Sequence, residues 1–377
     1  MKTLEIYNKL NIEVERANGL YVYSKDGKRY LDTFSGIGVM SFGHCYKPVN
    51  DAIKNKLNRF SHISNYFYDT DTEDVSKILV EKSGFTDGRV FYTNSGTEAT
   101  EAALKAIRKK IGDKKIIYFR NGFHGRTIGS LSINGFSNLR ENFGPYPENT
   151  VELEFNNSEK FSEYAEFNGI NIGAVFFEPV LGSGGVVPLS AEFSDTVENY
   201  RKKYNFLVVS DEVQSGLGRT GKFFSYQHYS IKPDIITVAK SIGGGIPLGA
   251  VIFNEKTMHF FEKGDHGSTF APNPLAISAA KYILYNIEKL LPEIQEKGNY
   301  FINKLRNLKS QKILEVRGKG LMIGLELKKE DGEIVERALK NDLLINIVRG
   351  KTIRLLPYFL ISFDEIDVIV KKLEEII

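Results

Sequence analysis

Between residues 90 and 253 short apolar runs alternate with helical patterns, and this alternation narrows the fold more than any other feature of the 377-residue chain. The runs are Val90–Thr93, Lys115–Phe119, Ala174–Glu178, Phe206–Ser210, Ile235–Val238 and Ala250–Phe253. Helical spacing is clearest over Thr97–Lys110 and Glu192–Tyr204. Such alternation predicts an α/β fold with a mostly parallel sheet covered on both faces. Ligands of such sheets bind outside the carboxyl ends of the strands. The polar motifs of this chain fall just after those ends.

The flanks have a different texture. Tyr21-Val-Tyr-Ser24, Asp26-Gly27 and Arg29-Tyr-Leu-Asp32 form a hairpin signal, because Asp-Gly suits a tight turn. Apolar residues recur at helical spacing from Pro48 to about Phe60. From about residue 285 a charged helix, Glu288 to Leu308, leads into short strands, and Ser362-Phe-Asp-Glu365 is a capping box opening a last helix. The apolar face of that helix is Ile366, Ile369, Val370, Leu373 and Ile377. Two units are expected: a large domain at 45–285, and a smaller α+β domain built from 1–44 and 286–377.

Composition excludes more than it suggests. A net charge of +3 is small for this length, and no dense basic block marks nucleic-acid binding. One cysteine, Cys45, rules out an intrachain disulfide and a cysteine-cluster metal site. No metal is expected, since no histidine–carboxylate cluster has ligand spacing. No stretch reaches the length of a membrane span and the first residues hold no apolar signal core, so a cytoplasmic protein is expected.

The chemistry gathers around Asp234-Ile-Ile-Thr-Val-Ala-Lys240, followed by Ser241-Ile-Gly-Gly-Gly-Ile-Pro-Leu-Gly249. A strand delivers Lys240 into a glycine-rich turn, where backbone can approach a ligand closely. A lone lysine after a strand is most often a surface lysine; one held against such a loop can lose its proton and attack an aldehyde. Asn94-Ser-Gly-Thr-Glu98 opens a helix after a strand, with Ser95 and Glu98 in a capping-box pattern. The Gly96 and Thr97 N–H groups there suit a phosphate, although plain N-capping explains the pattern alone. Phe123 could lie on a flat ligand, and Arg126 could clamp a carboxylate. Asp211 ends an apolar strand, a costly place for a carboxylate unless a cation such as a protonated ring nitrogen pairs with it. An aldehyde for Lys240, a pyridine nitrogen for Asp211 and a phosphate for the helix start are the parts of pyridoxal phosphate. A dinucleotide site would need G-x-G-x-x-G after the first strand, which no unit here matches.

The chain resembles the class III, fold-type I aminotransferases nearly end to end. The resemblance is carried by Gly43-His44, Ser64-Asn65, Asn94-Ser-Gly-Thr-Glu-Ala99, Phe123-His-Gly-Arg-Thr127 and Phe177-Glu-Pro179. It continues through Asp211-Glu-Val-Gln-Ser-Gly-Leu-Gly-Arg-Thr-Gly221, Ala239-Lys240, Gly267-Ser-Thr-Phe270 and Ile353-Arg-Leu-Leu-Pro357. It implies a pyridoxal-phosphate-dependent transferase whose large domain holds a mostly parallel seven-stranded sheet. It further implies that Lys240 joins the cofactor aldehyde and later shuttles a proton. Asp211 is implied to pair with the ring nitrogen, Phe123 and Val213 to sandwich the ring, and Gln214 to lie near the ring hydroxyl. Ser95, Gly96 and Thr97 belong to the phosphate cradle, with Thr269 reaching the phosphate of a neighbouring subunit, so a homodimer with shared sites is implied. Arg126 is expected to hold the carboxylate of an acylated diamino acid, with Asn65, Tyr66 and Ser268 shaping that pocket. Arg354 is expected to hold the α-carboxylate of glutamate, and Glu178 to pair with Arg354 while the other donor is bound. The implied reaction takes an amino group from N2-acetylornithine to 2-oxoglutarate.

The sequence departs from the family's usual pattern at Val180-Leu-Gly-Ser-Gly-Gly185, Thr269-Phe-Ala-Pro-Asn-Pro274 and Leu356-Pro-Tyr-Phe359. Other ω-amino donors of the same family remain open: succinylornithine, ornithine, 4-aminobutyrate and lysine-pathway substrates. So do a catalytically silent protein of the same fold and a carboxylate- or phosphate-binding protein that uses no pyridoxal phosphate.

Overall fold

The computed structural model describes residues 2–377. Its centre is a seven-stranded sheet in the order Gly88–Thr93, Gly249–Asn254, Ile235–Val238, Leu207–Asp211, Ile172–Phe177, Lys115–Phe119, Thr150–Leu153. Gly249–Asn254 runs antiparallel to both neighbours, and every other pairing is parallel. The strands are apolar at nearly every position because both faces are covered. Residues alternate between the faces, as the pleat requires. Ile116, Ala174, Phe176, Val209, Ile235 and Val251 meet the helix Gly96–Ile111 on one side. On the other side Ile117, Val175 and Val208 meet the helices Ser158–Asn168 and Ala191–Tyr204. Ala99, Ala102, Ala103 and Ala106 are fully buried, so the first helix lies close to the sheet and its start is fixed there.

Small register differences matter for the site. The strand expected at Ala174–Glu178 ends at Phe177, which makes Glu178 the first residue beyond the sheet. The strand expected at Phe206–Ser210 runs one residue further and ends on Asp211. The edge strand Thr150–Leu153 and the helix Thr70–Lys82 lie outside the expected elements, although Val75, Ile78 and Leu79 recur at helical spacing and form that helix's buried face.

The N-terminal hairpin forms as expected and pairs through Arg29–Asp32 with Leu343–Leu344, far along the chain. A second four-stranded sheet has the order Ile313–Lys319, Met322–Leu327, Thr352–Leu355, Asn346–Val348. The helix expected from Glu288 is the second half of a 33-residue helix, Pro274–Arg306, whose start Asn273 caps by accepting from the Leu275 and Ala276 N–H groups. The last helix, Phe363–Ile376, has the expected Ser362–Glu365 capping box, but Ile376 rather than Ile377 completes its buried face. Arg219, 1% exposed, ties these parts together. Its guanidinium donates to the carbonyls of Leu321 and Pro357 and to Ser41 Oγ. Among the described residues, no helix is long and apolar enough to cross a membrane and no group of three or more His, Cys, Asp or Glu could hold a metal ion.

Candidate active site

A cavity of about 440 Å³ opens at the carboxyl ends of the parallel strands. Five of the seven strands deliver a chemical group to it. The first contributes Ser95, Gly96 and Thr97, the start of a 16-residue helix. Ser95 Oγ accepts from the Glu98 N–H at 3.3 Å. The Glu98 carboxylate does not close a capping box on Ser95, as the pattern predicts; it accepts from the N–H and side-chain amide of Asn94 at 2.8 and 2.9 Å. Glu98 is thus turned to Asn94, and Ser95, Gly96 and Thr97 line the cavity. Gly96 is required there, since a Cβ would fall 2.8 Å from Val213 Cγ1. Gly125, at φ +136°, lets its loop lie on the helix start, where a Cβ would strike Thr97 Oγ1 at 2.1 Å.

Asp211 is 3% exposed and lines the cavity. Its Oδ2 lies 2.7 Å from His124 Nδ1, and its Oδ1 accepts from the Val213 N–H at 3.0 Å. The His124 ring is itself fixed edge-on against Phe176, 4.8 Å between centroids. His124 stands inside the quoted Phe123–Thr127 motif, but only tertiary structure brings it to Asp211. Two of the carboxylate's roughly four acceptor positions are used, so Asp211 can still take a proton-bearing nitrogen.

Lys240 follows its strand with φ +53°, a left-handed conformation uncommon for a side-chain-bearing residue. Desolvation pulls its pKa down, the charge of Arg354 adds to this, and Asp211 and Glu178 oppose it. Glu178 is held by the N–H groups of Phe123 at 2.8 Å and Gly182 at 3.0 Å. Burial, aided by Asp211 and opposed by His124, raises its pKa. No ion pair joins Glu178 to Arg354, whose expected pairing belongs to the donor-bound state. Arg354, 4% exposed, donates instead to Asn346 Oδ1 and Gln214 Oε1, and it stands behind Gln214 rather than on the cavity wall. Burial pulls its pKa down to about 10, with Glu178 opposing. Arg126 does line the cavity, with its guanidinium 5.7 Å from the centre of the Phe123 ring.

The aminotransferase class-III family matches residues 5–377. The chain belongs to the class-III aminotransferases. It is 41% identical over 376 residues to the acetylornithine aminotransferase of Aquifex aeolicus, covering 98% of each chain. It is 40% identical to that of Archaeoglobus fulgidus over 97% of this chain and 95% of the relative. Among solved structures it resembles the ornithine aminotransferase of Toxoplasma gondii, with TM-score 0.93 and 28% identity over 99% of this chain and 92% of that one. It also resembles the N-acetylornithine aminotransferase of Stenotrophomonas maltophilia, with TM-score 0.84 and 28% identity over 98% of this chain and 96% of that one.

The donor set of this class-III chain fits pyridoxal phosphate: an amine of lowered pKa, a buried carboxylate with acceptor capacity left, and a helix start share one cavity. Phe123, Val213 and Gln214 also line it. The remaining expected residues lie elsewhere. Asn65, Tyr66 and Ser268 line a neighbouring cavity of about 550 Å³. Asn65 Nδ2 donates to the carbonyls of Ser268 at 2.9 Å and Ala271 at 3.1 Å. A 3.2 Å hydrogen bond from Asn94 Nδ2 to Ser268 Oγ joins the two cavities. Thr269 is exposed and lines neither. Tyr66 is 93% exposed, beside exposed Phe67, Tyr68 and Phe270.

Proposed function

We propose that this chain moves the distal amino group of N2-acetylornithine to 2-oxoglutarate, with pyridoxal phosphate as resident cofactor. The observation that carries this is the convergence of Lys240, Asp211 and the Gly96–Thr97 helix start in one cavity. The substrate follows from relatives at about 40% identity that carry the acetylornithine name. When bound, the cofactor supplies an aldehyde for an amine and a ring that withdraws electrons from the carbon beside it.

The chain's residues do the rest. Lys240, with its lowered pKa, would hold the cofactor through its aldehyde and would move the proton at the reacting carbon. Asp211, anchored by His124 and the Val213 N–H, would hold the proton-bearing ring nitrogen. The N–H groups of Gly96 and Thr97 hold the phosphate with the helix dipole behind them. Ser95 fixes the first turn, and Phe123 and Val213 confine the ring. Arg126 takes the α-carboxylate of the acylated donor, and Arg354 takes that of glutamate once Gln214 turns aside. A second copy of the chain covers the surface of Tyr66, Phe67, Tyr68 and Phe270, a cluster too apolar to leave in water, and brings Thr269 to its neighbour's phosphate. A reducing cytoplasm suits the one exposed thiol, Cys45.

The test is the visible spectrum of the cofactor-loaded protein as single amino donors are added without any oxo acid. Each true donor must shift the band in one half-reaction. Conversion by glutamate and, faster, by N2-acetylornithine supports the proposal. Conversion by glutamate and ornithine alone moves the donor to that of the Toxoplasma gondii neighbour, and no cofactor band at all refutes the role of Lys240.

A further inference from the structure

Arg354 is a buried cation whose side-chain hydrogen bonds all go to amide oxygens. Nε and Nη2 share Asn346 Oδ1 at 3.0 and 2.7 Å, and Nη1 donates to Gln214 Oε1 at 3.0 Å. The strand register explains the first contact. Arg354 lies opposite Asn346 on one side and opposite Gly324 on the other, so the three share one sheet face. Gly324 has nothing to offer, and a Cβ there would fall 2.9 Å from Val186 Cβ. Asn346 is therefore the cross-strand partner able to reach the guanidinium. Gln214 differs from it. Gln214 lines the cavity and sits where Gly182 leaves space, a Cβ on Gly182 falling 2.2 Å from Gln214 Oε1.

We propose that Asn346 is a specificity-determining positioning residue: it fixes the Arg354 guanidinium with a neutral acceptor, so that the positive charge stays unspent for an incoming carboxylate. A carboxylate at this place would grip the same two N–H groups and cancel the charge. An apolar side chain would leave the fork unanchored. Of the five N–H donors of arginine, Asn346 and Gln214 take three, which leaves one on each terminal nitrogen. Gln214 is the movable cover over this fork, and Asn346 is the fixed anchor. The class of ligand is a dicarboxylate, with one carboxylate on Arg354. This rests on the proposed role of Arg354 in taking the α-carboxylate of glutamate.

The experiment compares Asn346→Asp, Asn346→Leu and Arg354→Gln with the parent protein, all loaded with pyridoxal phosphate. KM is measured for glutamate and for N2-acetylornithine in separate half-reactions. Binding of glutarate, which has both carboxylates and no amine, is measured by calorimetry. In Asn346→Asp, glutamate KM is expected to rise and glutarate affinity to fall by roughly tenfold or more, with acetylornithine KM moving less than about twofold. Asn346→Leu, which suits a strand, is expected to shift the same two readouts in the same direction by a smaller factor, so the test stands even if the aspartate variant does not fold. Should both Asn346 variants shift the two amino donors alike, or neither donor, while Arg354→Gln weakens glutamate alone, Asn346 is merely structural and the inference fails. Should Arg354→Gln leave glutamate and glutarate unchanged, the role of Arg354 fails first and takes the inference with it.

Discussion

The Asp211 carboxylate is buried and held by two neighbours, the imidazole of His124 and the N–H of Val213. Removing the imidazole leaves the carboxylate with one partner and frees it to turn away from the cavity. His124→Ala is therefore expected to lower kcat by about tenfold or more, the value of one charge-assisted hydrogen bond, with little change in KM for either substrate. A pH titration of the cofactor band should show its ring nitrogen losing the proton at lower pH than in the parent protein. An unchanged kcat and titration would mean that Val213 N–H alone sustains Asp211. At this scale the sequence shows the identity of reactive groups better than their partners. Lys240, Asp211 and the Gly96–Thr97 start could be named because each ends a strand or opens a helix, and local pattern marks both. His124 was missed because its partner lies 87 positions away. The Asn346 anchor was missed because strand register, not spacing, sets it opposite Arg354.

Elements were legible where one periodicity ruled from end to end. Lys115–Phe119 and Ile235–Val238 stand where the apolar runs stand, because strands covered on both faces need continuous apolar sequence. The helix Pro274–Arg306 defeats that logic. Its first half is apolar on most sides and buried, its second half is amphipathic, and Pro292 lies between them. A single helical pattern therefore emerges only after Glu288. The signal that does mark the start is Asn273-Pro274, an N-cap followed by proline at the first helical position. Asn273 Oδ1 accepts from the Leu275 and Ala276 N–H groups at 3.0 and 3.2 Å. Asn273→Ala is expected to cost about 1 kcal/mol, the usual loss at an N-cap. Urea unfolding followed by circular dichroism measures it, and Asn273→Asp should restore most of the loss. If the alanine variant unfolds at the parent midpoint, packing of the buried first half fixes the helix start without the cap.

Across the whole molecule, the proposed pairing of two chains would complete each cavity with a residue of the other. Lys240, Asp211 and the helix start are present, but Thr269 stands exposed outside the cavity wall, next to Phe270 and the Tyr66–Tyr68 aromatics. Two copies related by a two-fold axis would bury that surface against itself and give each site a Thr269 from the other chain. This arrangement has a consequence that no monomeric site shares. A chain with Lys240→Ala lacks its nucleophile but still lends an intact Thr269. A chain with Thr269→Glu keeps its lysine but sets a carboxylate against its neighbour's phosphate. Each variant alone is expected to be nearly inactive. In a mixed dimer one site collects both defects and the other collects none. Unfolding and refolding the two together in equal amounts makes half the dimers mixed, so about a quarter of the parent activity should return. Activity is assayed after refolding, with each variant refolded alone as the reference, and light scattering reports the mass. A dimeric mixture that stays inactive would show that each chain completes its own site, leaving Thr269 to the contact between copies and not to the cofactor.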